Sequence, residues 1–280
     1  MFAVLNLQNG QRSGLFEWMG RLLFTQYPDI RLVRYGESKI HIISYKGGEK
    51  QIDWDFLKEV TGRLGYNLVM PDIKCPHPNI RRFQPYQFLR RTTRNGVAKI
   101  IEDIELPLYK KSIVLVDEYG RYLDYTHTLI KYCAVVKVYT QNVQKYERFA
   151  NDIMNLYGAP VIVSDEPDIL SSHSVIVAPD GIREELCSRI RNTVLSVHEL
   201  PASANVRQVY DFECETDEEI EALRLKGISN SDILGALYEL NCIRGLGELV
   251  PQYCRFNGEQ VALSEVSKYI TGELKDEILI

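Results

Sequence analysis

Apolar residues change their spacing twice along this chain, which divides it into three stretches. In the first, helical and alternating patterns mix. Residues 2–7 form a short apolar run that reads as a strand. Ser13 is placed to cap a helix through residue 26, with Leu15, Phe16, Met19, Leu22 and Leu23 at helical spacing. Residues 30–35 and 39–45 alternate apolar and polar positions around Gly36-Glu37-Ser38, which predicts a hairpin. Asp53 opens a second helix that Gly65 ends near residue 64. Residues 67–70 read as a short strand. Prolines at 71, 76, 78 and 85 predict an irregular connection. A helix over 85–104 follows, with Asn95-Gly96 as its weak point, and Leu106-Pro107 closes the stretch.

From residue 112 the pattern becomes short continuous apolar runs separated by helical segments. Residues 112–116 read as a strand buried on both faces, and 135–139, 161–163, 174–178 and 192–197 as further strands. Between them, helices are predicted over 122–132, 143–157 and 183–190, with a single helical turn at 168–170. Such alternation implies right-handed crossovers and a parallel sheet. Beyond residue 205 the pattern changes again. Helices are predicted over 217–225 and 231–242. A hairpin at 253–255 and 260–263 surrounds Asn257-Gly258, and a final helix covers 264–270. The fold class is therefore α/β: a Rossmann-like parallel-sheet domain over 109–204, a mixed α/β N-terminal domain over 1–108, and a small, mainly helical C-terminal segment over 205–280.

Composition refines this picture. No apolar run approaches the ~20 residues of a membrane helix. The apolar N-terminus lacks a basic flank and a cleavage site, so it reads as a strand of a cytoplasmic protein and not as a signal peptide. The six cysteines show no CxxC spacing and read as reduced thiols. Cys75 and His77 offer two metal ligands where a structural zinc site needs four, so no metal is expected. Charge is uneven: residues 1–111 hold 18 basic and 11 acidic residues, 112–204 hold 8 and 12, and 205–280 hold 7 and 15.

The second stretch also carries motifs. Ile113-Val-Leu-Val-Asp-Glu-Tyr-Gly-Arg-Tyr leads into a helix, and Val136-Lys-Val-Tyr-Thr-Gln-Asn leads into the next one. Val175-Ile-Val-Ala-Pro-Asp-Gly-Ile182 ends a strand in a Pro/Gly turn. In order and spacing these 70 or so residues resemble the nucleotide-binding domain of the shikimate dehydrogenase and glutamyl-tRNA reductase families. The resemblance implies NAD or NADP at a crevice formed by Asp117, Glu118, Tyr119, Gly120, Arg121, Tyr122, Thr140, Gln141, Ala178 and Pro179.

The departures from that pattern matter more than the pattern. A dinucleotide loop uses one glycine for its tight turn, one for close approach of pyrophosphate and one for helix packing. Those places fall on Asp117, Tyr119 and Tyr122, and only Gly120 remains a glycine. Asp117 and Glu118 put two carboxylates where a helix N-terminus would attract a phosphate. Each phosphate contact would meet repulsion of order 1 kcal/mol near a wet surface. Where the resembled family holds a 2′-phosphate with arginine, this chain has Gln141. Between Tyr139 and Gln141 there is also no acidic residue for a free ribose. Ala178-Pro179-Asp180-Gly181-Ile182 matches best, and the resemblance places it near a nicotinamide. A strand-end turn needs Pro and Gly in any case.

Other residues compete for attention. Lys58 and Asp103 have the residue types of a shikimate-handling pair but lack its motif. His127 follows the altered loop and reads as a helix-face histidine, although it is placed to serve as an acid or base. His173 and His198 lie near strand ends. Arginines 81, 82, 90, 91 and 94 interleave with Phe83, Tyr86 and Phe88, a composition that suits nucleic acid. The chain's net charge of −5 argues against that, and the run reads as a basic face that pairs with the acidic C-terminal segment. The tail resembles a winged helix in element order, but its acidity disfavours DNA contact.

Three functions follow from these readings. The leading one is a non-catalytic protein that binds a small molecule or a protein partner, or assembles, through a degenerate dinucleotide site with no cofactor. Its ligand at the switch point is of another kind, cationic ligands included, and a homo-oligomer is compatible with it. The alternative is an NAD(P)-dependent oxidoreductase similar to shikimate dehydrogenase. The third is a nucleic-acid-binding protein that uses residues 81–94.

Overall fold

The computed structural model describes residues 1–8, 28–46, 48–172, 174–201, 204, 206–223, 225–241 and 249–276. The helix expected over 13–26 lies outside them. The chain folds as two units, each made of two stretches: Met1–Phe88 with Thr216–Gly247, and Leu89–Glu215 with Glu248–Ile280. Boundaries read from the sequence at 108 and 204 do not coincide with the edges of these units. Packing explains the difference, because residues on both sides of 109–204 share the core of the larger sheet.

In the first unit, β1 (Phe2–Gln8), β2 (Asp29–Tyr35) and β3 (Ser38–Lys46) form a three-stranded sheet in the order β1-β3-β2. β2 and β3 are an antiparallel hairpin, and β1 runs parallel to β3. Asp53 caps α1 (Trp54–Thr61) by accepting from Phe56 N at 2.9 Å. Residues 67–70 contribute only isolated bridges, Val4 to Val69 and Leu68 to Arg82, because the proline-rich connection carries no ladder. Ala3, Leu5, Ile43, Leu57, Leu68 and Ile80 are core residues of this unit.

α2 (Tyr86–Asp103) runs without a break through Asn95-Gly96. A Cβ at Gly96 would lie 2.3 Å from the Phe212 ring and 2.7 Å from Pro251, so close packing, and not a weak point, requires the glycine. β4 (Ser112–Val116), α3 (Leu123–Leu129), β5 (Val135–Tyr139), α4 (Val143–Tyr157) and β6 (Val161–Ser164) follow. Next come β7 (Val175–Ala178), α5 (Glu184–Cys187), β8 (Val194–Ser196) and β9 (Gln208–Glu213). In the first unit again lie α6 (Glu218–Glu221) and α7 (Asn230–Leu240), the latter opened by a Ser229/Asp232 capping box. The second unit ends with β10 (Tyr253–Phe256), β11 (Glu259–Ala262) and α8 (Leu263–Asp276).

The large sheet has the order β11-β10-β9-β8-β7-β4-β5-β6. Its strands β4 to β9 are mutually parallel, and the β10–β11 hairpin continues it antiparallel. Counted from β4, the parallel strands stand in the order 3-2-1-4-5-6, the doubly wound arrangement with its switch point between β4 and β7. Alternate residues of each strand enter different cores. Ile113 and Leu115 pack with Val97, Ile101, Tyr125 and Tyr146, whereas Val114 and Val116 pack with Ile182, Leu186 and Leu200. The Rossmann-like α/β class read from the sequence is what the structure has. The tail holds more strand than its pattern revealed: β9 was not expected, and with β10 and β11 it extends the sheet.

Candidate functional site

In open α/β sheets, ligands bind outside the carboxyl ends of the strands at the switch point. Here that place is bounded by the loop after β4, residues 117–122, and the turn after β7, residues 179–183. Asp117 controls the first of these. Its backbone continues the ladder, donating to Tyr139 O at 3.0 Å. Its side chain, only 2% exposed, turns back into the loop. Oδ1 accepts from Arg121 N at 2.9 Å, and Oδ2 accepts from Tyr122 N at 2.7 Å and from the Tyr146 hydroxyl at 2.6 Å. The loop amides that a phosphate would take are thus occupied by the chain's own carboxylate. Burial, and then the bond to Asp117, pushes the Tyr146 hydroxyl well above the ordinary tyrosine range.

Two clasps join this loop to the turn after β7. Tyr122 is 5% exposed, and its hydroxyl donates to Asp180 Oδ1 at 2.5 Å. Arg90 Nη2 donates to the same hydroxyl at 2.7 Å and lies 3.6 Å from Asp180. The Tyr122 hydroxyl is pushed up to about 12, by burial first and then by its bond to Asp180, with Arg90 pulling the other way. The second clasp is Glu118, whose carboxylate accepts from Arg183 Nε at 2.8 Å. Arg183 also bonds Glu185 and the Tyr139 hydroxyl.

The remaining loop residues fall into place around these clasps. Tyr119 is 63% exposed, and the Arg121 guanidinium lies 4.7 Å from the centre of its ring. Gly120 has φ +68°, and a Cβ there would come 3.3 Å from Asn142 Cβ. Its carbonyl accepts from Lys145 Nζ at 2.6 Å. The one glycine left in the loop therefore serves a tight turn against α4. Thr140 is buried and its hydroxyl accepts from Asn142 N, while Gln141 N donates to Glu118 O. Ala178 closes the next turn by accepting from Gly181 N.

The loop amides of Arg121 and Tyr122 and the turn after β7 are thus engaged by internal hydrogen bonds. Sequence reasoning identified Asp117 and Glu118 as supplying the chain's own anions but missed Tyr146, Asp180, Arg183 and Arg90, which hold them. Asp180 sits inside the quoted Pro/Gly turn, and Arg90 sits inside the basic run. Both partnerships are long-range, and nothing local signals them.

A pocket of about 260 Å³ lies beside the clasp, on the β7–β8 side of the switch point. Val177, Pro179, Leu195 and Val197 give it apolar walls at the ends of β7 and β8. Arg90, Thr93 and Arg94 reach it from α2. From the other side come Arg121, Tyr122, Asp124 and Tyr125. Arg94 pairs with Asp124 at 2.7 Å and lies 4.7 Å from the centre of the Tyr125 ring. Tyr125 is 2% exposed, and its hydroxyl has no hydrogen-bond partner among the described residues.

The other candidates have local roles. Lys58 donates to Gly62 O at the end of α1, and Asp103 pairs with Lys99 one turn away. His127 packs on Tyr157 at 5.1 Å, at the end of α4 and therefore at the opposite edge of the sheet from the crevice. His198 follows β8 and accepts from Ser196 Oγ through its carbonyl, while His173 lies outside the described residues. His77 Nδ1 accepts from Asn79 N, and the Cys75 thiol donates to nearby carbonyls. Among the described residues there is no group of three or more His, Cys, Asp or Glu that could hold a metal. No helix among them is long and apolar enough to cross a membrane. Within the basic run, Arg82, Arg90 and Arg94 face Asp72, Asp180 and Asp124, which lie outside 205–280, while Phe88 N donates to Glu239 at 2.9 Å. Helical periodicity places Arg90 and Arg94 one turn apart on one face of α2, and that face meets the strand-end turns.

No protein-family model matches the chain, and no curated protein matches it in sequence. Among solved structures it is similar to L-tryptophan dehydrogenase from Nostoc punctiforme, with 12% identity over 98% of this chain and 79% of that one and a TM-score of 0.36. It is also similar to a phosphoglycerate oxidoreductase from Rhizobium etli, with 13% identity over 91% and 97% of the two chains and a TM-score of 0.35. Hetero-hexameric glutamate dehydrogenase from Thermus thermophilus gives 10% identity over 98% and 74%, with a TM-score of 0.33. At these scores the likeness carries no argument about activity, and the Rossmann-like class rests on the strand order and pairing themselves.

Proposed function

We propose that this chain is a small-molecule-binding protein on a Rossmann-like scaffold, with a dinucleotide crevice closed by its own side chains and no hydride chemistry. One observation carries the reading: the buried Asp117 carboxylate takes the amides of Arg121 and Tyr122 and the hydroxyl of Tyr146. A pyrophosphate entering there would have to displace three charge-assisted hydrogen bonds and share the space with a carboxylate. Tyr122, bonded to Asp180 and Arg90, blocks the path that a dinucleotide takes from one half of the sheet to the other.

A second reading, an NAD(P)-dependent oxidoreductase of the shikimate dehydrogenase type, is supported by the pocket beside Ala178-Pro179 at the ends of β7 and β8. One titration separates the two. The purified protein is titrated with NADH and with NADPH while nicotinamide fluorescence is followed. The closed-crevice reading expects no saturable change for either nucleotide. Micromolar binding of either would overturn it in favour of the oxidoreductase.

A further inference from the structure

The pocket between α2, the start of α3 and the ends of β7 and β8 has a chemistry of its own. Three guanidinium groups, Arg90, Arg94 and Arg121, reach it, and the carboxylates paired with them are Asp124 and Asp180. That leaves one positive charge in excess. The arginines are unequally committed. Arg90 is held by the Tyr122 hydroxyl and Asp180. Among the described residues, the Arg121 guanidinium has a 3.6 Å ion pair to Asp180 and its stacking on Tyr119. Arg94 donates through Nη2 to Asp124 at 2.7 Å, and its guanidinium lies 4.7 Å from the centre of the Tyr125 ring.

The apolar part of the lining is Val177, Pro179, Leu195 and Val197. At about 260 Å³ it lies just below the ~300–1,000 Å³ of sites for drug-sized ligands. An excess of one charge balances a monoanion. Phosphate is disfavoured, because phosphate sites draw on successive backbone amides, and the nearby amides of Arg121 and Tyr122 are already bonded to Asp117. A planar guanidinium fork suits a carboxylate equally well.

We propose that this pocket binds a small monocarboxylate with an apolar body, its carboxylate held by Arg94 and Arg121 and its body lying on Val177, Leu195 and Val197. The inference rests on the closed-crevice reading, in that it gives the protein a ligand that needs no nucleotide.

The test is calorimetric titration of the full chain with 3-phenylpropanoate, with its neutral counterpart 3-phenylpropanamide, and with inorganic phosphate, each in the absence and presence of NADH. The expected result is saturable binding of the carboxylate without NADH, with the amide and phosphate weaker by about tenfold or more. Arg121→Gln, at an exposed position, is expected to weaken the carboxylate about tenfold and leave the amide unchanged. The comparison of acid with amide on the unaltered protein needs no variant to fold. Equal binding of acid and amide, phosphate binding as tightly as the acid, or no saturable heat for the acid under either condition would overturn the inference. Failure with the acid while NADH also fails to bind leaves the closed-crevice reading standing. Binding of the acid only once NADH is present sinks that reading and the nucleotide-free ligand with it.

Discussion

At the scale of single residues, Asp117 shows how one buried carboxylate holds a loop. Its three hydrogen-bond donors are a loop amide, the amide at the start of α3 and the hydroxyl of Tyr146, and it is itself buried. Asp117→Ala leaves all three donors unpaired in a buried place, so it is expected to destabilise the unit by about 3 kcal/mol. Tyr146→Phe removes a donor and leaves an acceptor that keeps two partners, so about 1 kcal/mol is expected. The double variant should cost less than the sum of the two, because the shared bond is lost only once. Urea unfolding of the four proteins measures all three quantities, and strict additivity would show that the two groups do not interact. Asp117 was legible in the sequence as an anion at a phosphate loop. Its partners were not, because Tyr146 reads locally as one apolar position on the face of α4 and the bond it makes spans 29 residues.

At the scale of elements, the parallel strands were legible nearly to the residue. The run 112–116 is buried on both faces, and continuous apolar sequence reports that directly. β9 was not legible. Its alternation breaks at Asp211, which has φ +49° where β9 and β10 slip register. A bulge puts two residues opposite one and shifts the side-chain period, which hides the strand from a period-two reading. α2 gives the converse lesson. Asn95-Gly96 looks like a break by propensity, yet the helix continues and brings Gly96 against Phe212 and Pro251. Gly96→Ala would gain up to about 1 kcal/mol of helix propensity. It is nevertheless expected to destabilise the protein by about 1–3 kcal/mol through overpacking against a buried ring. Thermal melts of the variant decide between the two effects: a raised midpoint would mean that Phe212 moves aside freely.

At the scale of the whole molecule, tyrosine hydroxyls that are buried or bonded to a carboxylate give both units the same response to alkali. In the first unit Tyr35 and Tyr45 are pushed up to about 12, Tyr35 chiefly by its bond to Asp217 and Tyr45 chiefly by burial. In the second unit Tyr122 is pushed up to about 12, with burial as the largest cause. Tyr125 and Tyr146 are raised further by burial. A tyrosine in the unfolded chain ionises near pH 10, so above that pH the unfolded state binds fewer protons than the folded one. Stability from these groups is therefore complete below pH 10 and is lost as the pH rises through about 12. Urea midpoints measured across this interval are expected to fall steadily. Tyrosinate absorbance should appear together with unfolding and not ahead of it. Tyr146→Phe is expected to flatten the fall, since it removes one proton from the difference between the two states. A midpoint that stays level while tyrosinate absorbance grows would mean that these hydroxyls ionise within the folded protein, and the hydrogen bonds of Tyr122 and Tyr146 would then not require the protonated form.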